Sequence, residues 1–226
     1  MAKTHKDRMS YLKDTLAYHD DLYYVQNISE IPDSKYNALR RELKELVKNH
    51  PVYAAELGIV DTVGAPVPDD VVKVTHHVQM QSLDNAFTED DMGVFFKNIV
   101  SAVGNKTLTD NMSFVGEGKY DGLAIEIVYR DGILTQASTR GDGYVGEDVT
   151  RQVKEIPGIP HTLNGDVSGL VVINGEIYLP NEGFEKINKR LTELKAKPFS
   201  NARNAAAGIL RRIRDTECDR NLLSLA

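Results

Sequence analysis

The chain has 226 residues, a formal net charge of −6 at pH 7 and 41% hydrophobic residues, which is enough to build a sizeable core. Residues 1–13 lack the apolar segment of a signal peptide, and no apolar run is long enough to span a bilayer. The single cysteine, Cys218, excludes both an internal disulfide and a cysteine-rich zinc site. The acidic balance argues against strong autonomous binding of duplex DNA, and the whole pattern favours a reducing, cytoplasmic setting.

The amino-terminal part of the chain is predicted to be a pair of helices. Residues 7–25 carry apolar side chains at helical spacing, and a second stripe follows Asp33, which is placed to act as the N-cap of a helix that ends near residue 50. We therefore predict a helical module over residues 1–52. Residues 53–74 are rich in Gly, Pro and Asp and are predicted to form a linker.

Residues 75–226 are predicted to form one α+β domain with a largely antiparallel sheet. A capping-box pattern at Thr88 opens a helix, whose inward side chains are expected to be Met92, Phe95, Ile99 and Val103. Alternating apolar residues then predict strands at 114–117, 123–129, 133–138 and 170–179. Asp131-Gly132 predicts a tight hairpin between the second and third of these strands. Helices are expected at 181–194 and 204–213.

Two glycine patterns resemble phosphate-binding loops only superficially. Residues 141–146, GDGYVG, match G-x-G-x-x-G, but they follow a hairpin strand and precede the carboxylates of Glu147 and Asp148. Residues 116–119 are followed by Tyr120, where a P-loop needs Ser or Thr for magnesium. We therefore expect neither a Rossmann nor a P-loop site.

A lysine flanked by acids is the sharper feature. In residues 117–122, EGKYDG, a strand geometry places Glu117 and Lys119 on the same face, and Asp121 follows at the next position of the same parity. The group is either a structural ion-pair cluster or a lysine nucleophile. A nucleophilic lysine must be neutral when it attacks, and the neighbouring carboxylates oppose this unless bound magnesium offsets their charge. These six residues alone leave both interpretations open.

Five segments together resemble a known family. Residues 117–122 are similar to the lysine motif of covalent nucleotidyltransferases. Residues 139–150 (TRGDG and GEDVT), 80–87 (MQSLDNAF) and 201–208 (NARNAAAG) resemble bacterial NAD-dependent DNA ligases specifically. The helix pair resembles the module with which those ligases hold the nicotinamide mononucleotide (NMN) half of NAD. The resemblance implies a nucleotidyltransferase (ATP-grasp-like) domain, truncated at its carboxyl end, behind that module.

The resemblance also implies roles for individual residues. Lys119 would attack the α-phosphorus of NAD and release NMN, and Asp121 would orient the lysine or help to hold Mg²⁺; no separate protein metal site is expected. NAD would contact residues of both domains, namely Tyr23, Asp33, Ser34, Lys35, Tyr36 and Asn37 on the NMN side and Ser82, Leu83, Glu117, Arg140 and Glu176 around the adenosine and phosphates. The AMP would pass to the 5′-phosphate of nicked double-stranded DNA, whose backbone would be touched by Arg203, Arg211 and Arg212.

The chain departs from the family pattern in several places. Asn37 replaces an aspartate in the NMN module, Asn174 replaces an arginine, and Ala202 replaces a proline. Two later motifs of the family, which supply phosphate-stabilising lysines, have no counterpart before Ala226. If the 226 residues are the whole gene product, the missing motifs predict that a second protein chain supplies the rest of the adenylation domain and the DNA-binding domains. No membrane partner is expected.

Two other functions remain as alternatives. One is an ATP- or GTP-dependent nucleotidyltransferase of the RNA ligase or capping type, against which the tyrosine-rich helix pair argues. The other is a non-catalytic subunit that binds NAD or nicked DNA, against which the intact lysine motif argues.

Overall fold

The computed structural model describes residues 4–25, 29–59, 71–81, 83, 85–104, 111–211 and 219–226, with the side chains at positions 24, 25 and 33 excepted. The chain divides into two compact units. Residues 1–80 and 120–226 form the larger unit, and residues 81–119 form the smaller one. Within the described parts, none of the helices has the length and apolar character needed to cross a membrane.

The larger unit begins with the predicted helical module, which is confirmed. Its helices are α1 (His5–Asp20), continued by a π-helical turn over Asp21–Val25, α2 (Asp33–Asn49) and α3 (Pro51–Glu56). Arg8 on α1 donates two hydrogen bonds of 2.6 Å to the carboxylate of Glu42 on α2. On the inner side of α1, Met9, Leu12 and Leu16 are buried. The two helices thus pack through an apolar stripe and one bidentate ion pair.

Two boundaries in this module differ from the sequence prediction. Asp33 is the first residue of α2 and not its N-cap, because the extended Pro32 (φ −61°, ψ 149°) occupies the cap position and carries no side-chain acceptor. Helix α3 occupies the start of the predicted linker, where Pro51 stands at a first helical position suited to its fixed φ. Residues 60–70 of that linker lie outside the described residues.

The remainder of the larger unit has the predicted antiparallel character. The strands are β1 (Lys73–Thr75), β2 (Leu123–Arg130), β3 (Ile133–Thr139), β4 (Val145–Glu147), β5 (Leu170–Tyr178) and β6 (Ser224–Leu225). Four of them form a sheet in the order β3-β2-β5-β6, and β1 pairs with β4, all antiparallel. The β2–β3 turn has positive φ at both Asp131 (50°) and Gly132 (76°), as a type I′ hairpin requires.

Helices cover one face of the four-stranded sheet. They are α5 (Thr150–Val153), α6 (Asn181–Glu193) and α7 (Ala202–Arg211), with a 3₁₀ turn at Asp219–Leu222. Ile125 and Ile127 of β2 are buried in the same apolar cluster as Ala205 and Ala206 of α7. The alanines leave room for a close approach of helix to sheet, which fixes the start of α7 beside the ends of β2 and β5.

The smaller unit contains α4 (Glu89–Val103). Its predicted capping box is confirmed, because Thr88 Oγ1 accepts a bond from the Asp91 amide and Asp91 accepts one from the Thr88 amide. The predicted burial of its apolar face is not found, since no α4 side chain is buried and the described part of this unit offers no sheet to cover it. The strand predicted at 114–117 is likewise wrong, because no described strand pairs with these residues.

Candidate active site

The lysine motif ends against strand β5. The Gly122 amide donates a hydrogen bond of 3.0 Å to Glu176 Oε1, and Ala124 pairs with Glu176 across the β2–β5 ladder. A Cβ atom at Gly122 would lie 2.1 Å from the carbonyl oxygen of Ile177, so only glycine fits at this close approach. The sheet therefore holds the carboxylate of Glu176 at the beginning of β2.

Arg203 joins this corner to the helical module. Its Nη1 lies 3.4 Å from Asp121 Oδ1 and 3.9 Å from Glu176 Oε1. The same guanidinium lies 4.3 Å from the centroid of the Tyr23 ring, at a distance typical of a cation–π contact. Arg203 was predicted to touch the DNA backbone; the structure places it among predicted NAD-binding residues, and the DNA contact stays a prediction.

A half-buried carboxylate lies beside the predicted NMN residues. Tyr36 donates a hydrogen bond of 2.6 Å to Asp20 Oδ1 at the end of α1. Burial raises the pKa of Asp20, and the Tyr36 hydrogen bond and the positive charges of Arg40 and Arg140 partly oppose this rise. Asp20 was not among the predicted site residues, although an acid at the end of a helix, three residues before Tyr23, could have indicated it.

Arg140 begins a tight loop between β3 and β4. Its amide donates to the Ala124 carbonyl at 3.1 Å, which fastens the loop to β2, and its own carbonyl accepts from the Gly143 amide at 2.9 Å. Asp142 Oδ1 accepts from the Tyr144 and Val145 amides at 2.9 and 2.8 Å. Because this loop leads into a strand and not a helix, the rejection of a dinucleotide-binding loop is confirmed.

Lys119 and its two flanking acids, Glu117 and Asp121, are all exposed. Lys119 is the last residue of the smaller unit, and Asp121 belongs to the larger unit. Among the described residues no group of three or more His, Cys, Asp or Glu side chains could hold a metal ion.

The other predicted site residues are placed as follows. Ser34 and Lys35 are exposed in the first turn of α2, Asn37 is half-buried one residue after Tyr36, and Leu83 is exposed. Arg211 Nε lies 3.1 Å from Glu147 Oε2, within an internal ion pair. Ser82, Arg212 and the side chain of Asp33 lie outside the described residues.

Comparison with known proteins gives consistent matches along the chain. A family model described as the NAD-dependent DNA ligase adenylation domain matches residues 69–226, and one described as the DNA ligase-like, N-terminal NAD⁺-binding domain matches residues 2–56. A protein named DNA ligase from Marinobacter nauticus is 42% identical over 99% of this chain and 33% of its own length. A DNA ligase from Nitrosococcus oceani is 37% identical over 92% of the chain and 30% of its own length. A DNA ligase from Citrifermentans bemidjiense is 42% identical over 91% of the chain and 31% of its own length. The chain therefore spans about a third of the length of these relatives.

Proposed function

The chain belongs to the NAD-dependent DNA ligase family, and from this premise we propose that Lys119 accepts AMP from NAD as the first step of sealing a DNA nick. The observation that carries the proposal is the meeting of the two matched domains at Arg203. This residue of the adenylation domain stacks on Tyr23 of the NAD-binding domain and pairs with Asp121, two residues from Lys119. Groups of both domains thus converge next to the motif that carries the nucleophile.

The proposed step is a displacement at phosphorus. The ammonium of Lys119 first loses a proton to water, and the neutral Nζ attacks the α-phosphorus of NAD. A nitrogen–phosphorus bond forms while the bond from that phosphorus to the bridging oxygen breaks, and NMN leaves with the electron pair. The nitrogen releases a second proton as the phosphoramidate forms. The exposure of Lys119 is consistent with access for the dinucleotide.

Residues of the helical module are proposed to bind the NMN half. The Tyr23 ring already stacks with a cation, the Arg203 guanidinium, so its face suits a positively charged nicotinamide ring. Asp20 and Tyr36 form a hydrogen-bonded pair nearby on α1 and α2. We propose that the predicted positions Asp33, Ser34, Lys35 and Asn37 complete this half of the site.

Residues of the adenylation domain are proposed to bind the AMP half. Arg140 presents a guanidinium whose geometry suits phosphate oxygens, and the rigid loop fixes its backbone. Glu176, whose Oε1 accepts from the Gly122 amide, is proposed to accept hydrogen bonds from the ribose hydroxyls. Ser82, Leu83 and Glu117 are proposed to line the adenosine pocket.

Magnesium is proposed to bind at the site together with the phosphates of NAD. Asp121 is exposed, with 66% of its side chain accessible, whereas 26% of the Glu176 side chain is accessible. When bound by Asp121 and the phosphates, Mg²⁺ would neutralise negative charge at the transferred group.

The later steps belong to the proposed function of the whole enzyme. The AMP would pass to the 5′-phosphate of nicked double-stranded DNA, and the 3′-hydroxyl would then displace it. Contacts of Arg203, Arg211 and Arg212 with the DNA backbone, and completion of the site by a second chain, stay predictions. A cytoplasmic location is proposed because NAD and DNA occur together there.

Comparison of AMP donors tests the proposal. The chain is incubated with Mg²⁺ and either NAD or ATP, and NMN release and protein-bound AMP are both quantified. We expect NAD to load the unmodified chain and the matched Lys97→Ala control, which changes an exposed lysine of α4, but not Lys119→Ala. Preferential loading by ATP would support the RNA ligase or capping-type alternative. Loading by neither donor, with NAD still bound, would support a non-catalytic subunit.

A further inference from the structure

A buried acid and a buried histidine lie beneath the loop that carries Arg140. Glu126 stands in the middle of β2, between Ser138 on β3 and Asn174 on β5. The side chains of Glu126 and His76 are 0% and 1% exposed. Burial of a carboxylate costs free energy unless the group is paired and hydrogen-bonded. The neighbours of Glu126 therefore indicate its role.

The histidine connects the acid to the Arg140 backbone. His76 Nδ1 lies 3.4 Å from Glu126 Oε1, and His76 Nε2 lies 3.0 Å from the Arg140 carbonyl oxygen. Because a carbonyl only accepts hydrogen bonds, Nε2 donates in this contact, and Nδ1 must carry a second proton to donate to the Glu126 carboxylate. The His77 amide donates to Glu126 Oε2 at 3.2 Å, and Ser138 Oγ lies 3.4 Å from His76 Nδ1. Both oxygen atoms of the Glu126 carboxylate therefore have polar partners on the side away from the loop.

The loop is fitted closely to the histidine and its segment. The His76 amide donates to the Tyr144 carbonyl and the Met80 amide donates to the Gly143 carbonyl, both at 2.9 Å. A Cβ atom at Gly146 would lie 3.0 Å from His76 Cε1. The imidazole therefore has little room to turn, and its Nε2 stays directed at Arg140.

We propose that His76 and Glu126 are positioning residues: Glu126 orients the imidazole, and the imidazole fixes the Arg140 carbonyl and so the direction of its guanidinium. This inference rests on the proposed function, in which Arg140 binds the phosphates of NAD. The acid–histidine–carbonyl arrangement acts as an orienting relay for a binding group and does not itself touch the reacting atoms.

A double-mutant cycle on adenylation tests this role. His76→Leu is expected to lower kcat/KM for NAD by about tenfold to a hundredfold, the range in which misplaced binding groups act. His76→Gln, which keeps a side-chain N–H donor, is expected to retain most of the activity. In an Arg140→Ala background, His76→Leu should cause no further loss. An equal loss in both backgrounds, or an equal loss for His76→Gln and His76→Leu, would overturn the proposal and indicate a purely structural role.

A second measurement separates this inference from the proposed function. The NMR signal of Arg140 Nε–H is recorded without nucleotide in the unmodified chain, in Glu126→Gln and in His76→Gln. We expect it to shift and broaden in Glu126→Gln and to change less in His76→Gln. An unchanged signal in Glu126→Gln would contradict the positioning role whether or not Lys119 is adenylated. Absence of adenylation in the unmodified chain, with the expected NMR change, would contradict the proposed function alone.

Discussion

Replacement of Arg203 by alanine removes one set of contacts between the two matched domains. The cation–π contact with Tyr23 at 4.3 Å contributes about 0.5–2 kcal/mol. The ion pairs with Asp121 and Glu176, at 3.4 and 3.9 Å, are partly exposed and contribute about 0–1 kcal/mol each. We therefore expect Arg203→Ala to lower the free energy of unfolding by about 1–3 kcal/mol.

Urea denaturation of single and double variants isolates the stacking contribution. In a cycle of Arg203→Ala with Tyr23→Leu, we expect a coupling energy of about 1 kcal/mol. Arg151→Ala is a matched control, because Arg151 is 81% exposed and makes only a helical ion pair at 3.9 Å; it should change stability by less than about 0.5 kcal/mol. Additive effects of Arg203→Ala and Tyr23→Leu, within about 0.3 kcal/mol, would refute the assignment of Arg203 as the link between the domains.

Two further predictions concern stability and protonation. Gly122→Ala should lower the free energy of unfolding by at least about 2 kcal/mol, because its Cβ would overlap the Ile177 carbonyl. Gly116→Ala, whose added Cβ would meet no atom within 4 Å, should change the free energy of unfolding by less than about 0.5 kcal/mol. Both variants are compared by thermal unfolding, and equal effects of Gly122→Ala and Gly116→Ala would contradict this steric argument. Burial raises the pKa of Asp20 in the folded protein, so its contribution to stability is present below the unfolded pKa and is lost as pH rises through the folded pKa. Tyr36→Phe removes a hydrogen bond that favours the carboxylate and should raise the Asp20 pKa further; a lower value in a ¹³C NMR titration would contradict this reasoning.

Local signals in the sequence predicted local structure well. The Thr88 capping box and the Asp131-Gly132 hairpin both depend on donors, acceptors and backbone angles within four residues, and both are present. The strand predicted at 114–117 failed because a strand needs a partner, which a periodicity of two does not supply.

The contacts within the site could not be predicted from local sequence patterns, because they join residues that are distant in the chain. Arg203 reaches Tyr23 across the whole fold, and His76 reaches Glu126 from a segment outside the main sheet. The motif resemblance predicted Arg203 as a functional residue in contact with DNA, and its contacts with Tyr23 and Asp121 appear only in the folded structure. From the sequence, Glu126 is expected on the exposed face of a strand. Only the packing of residues 73–80 over that face shows that Glu126 is buried.

The most direct test of Lys119 as the AMP acceptor is mass spectrometry of the intact chain after incubation with NAD and Mg²⁺, followed by peptide mapping. We expect an AMP-sized increment that maps to the peptide containing Lys119 and is absent from Lys119→Ala but present in Lys97→Ala. An increment retained by Lys119→Ala, or mapped to another residue, would contradict the assignment, as would the absence of any increment in the unmodified chain.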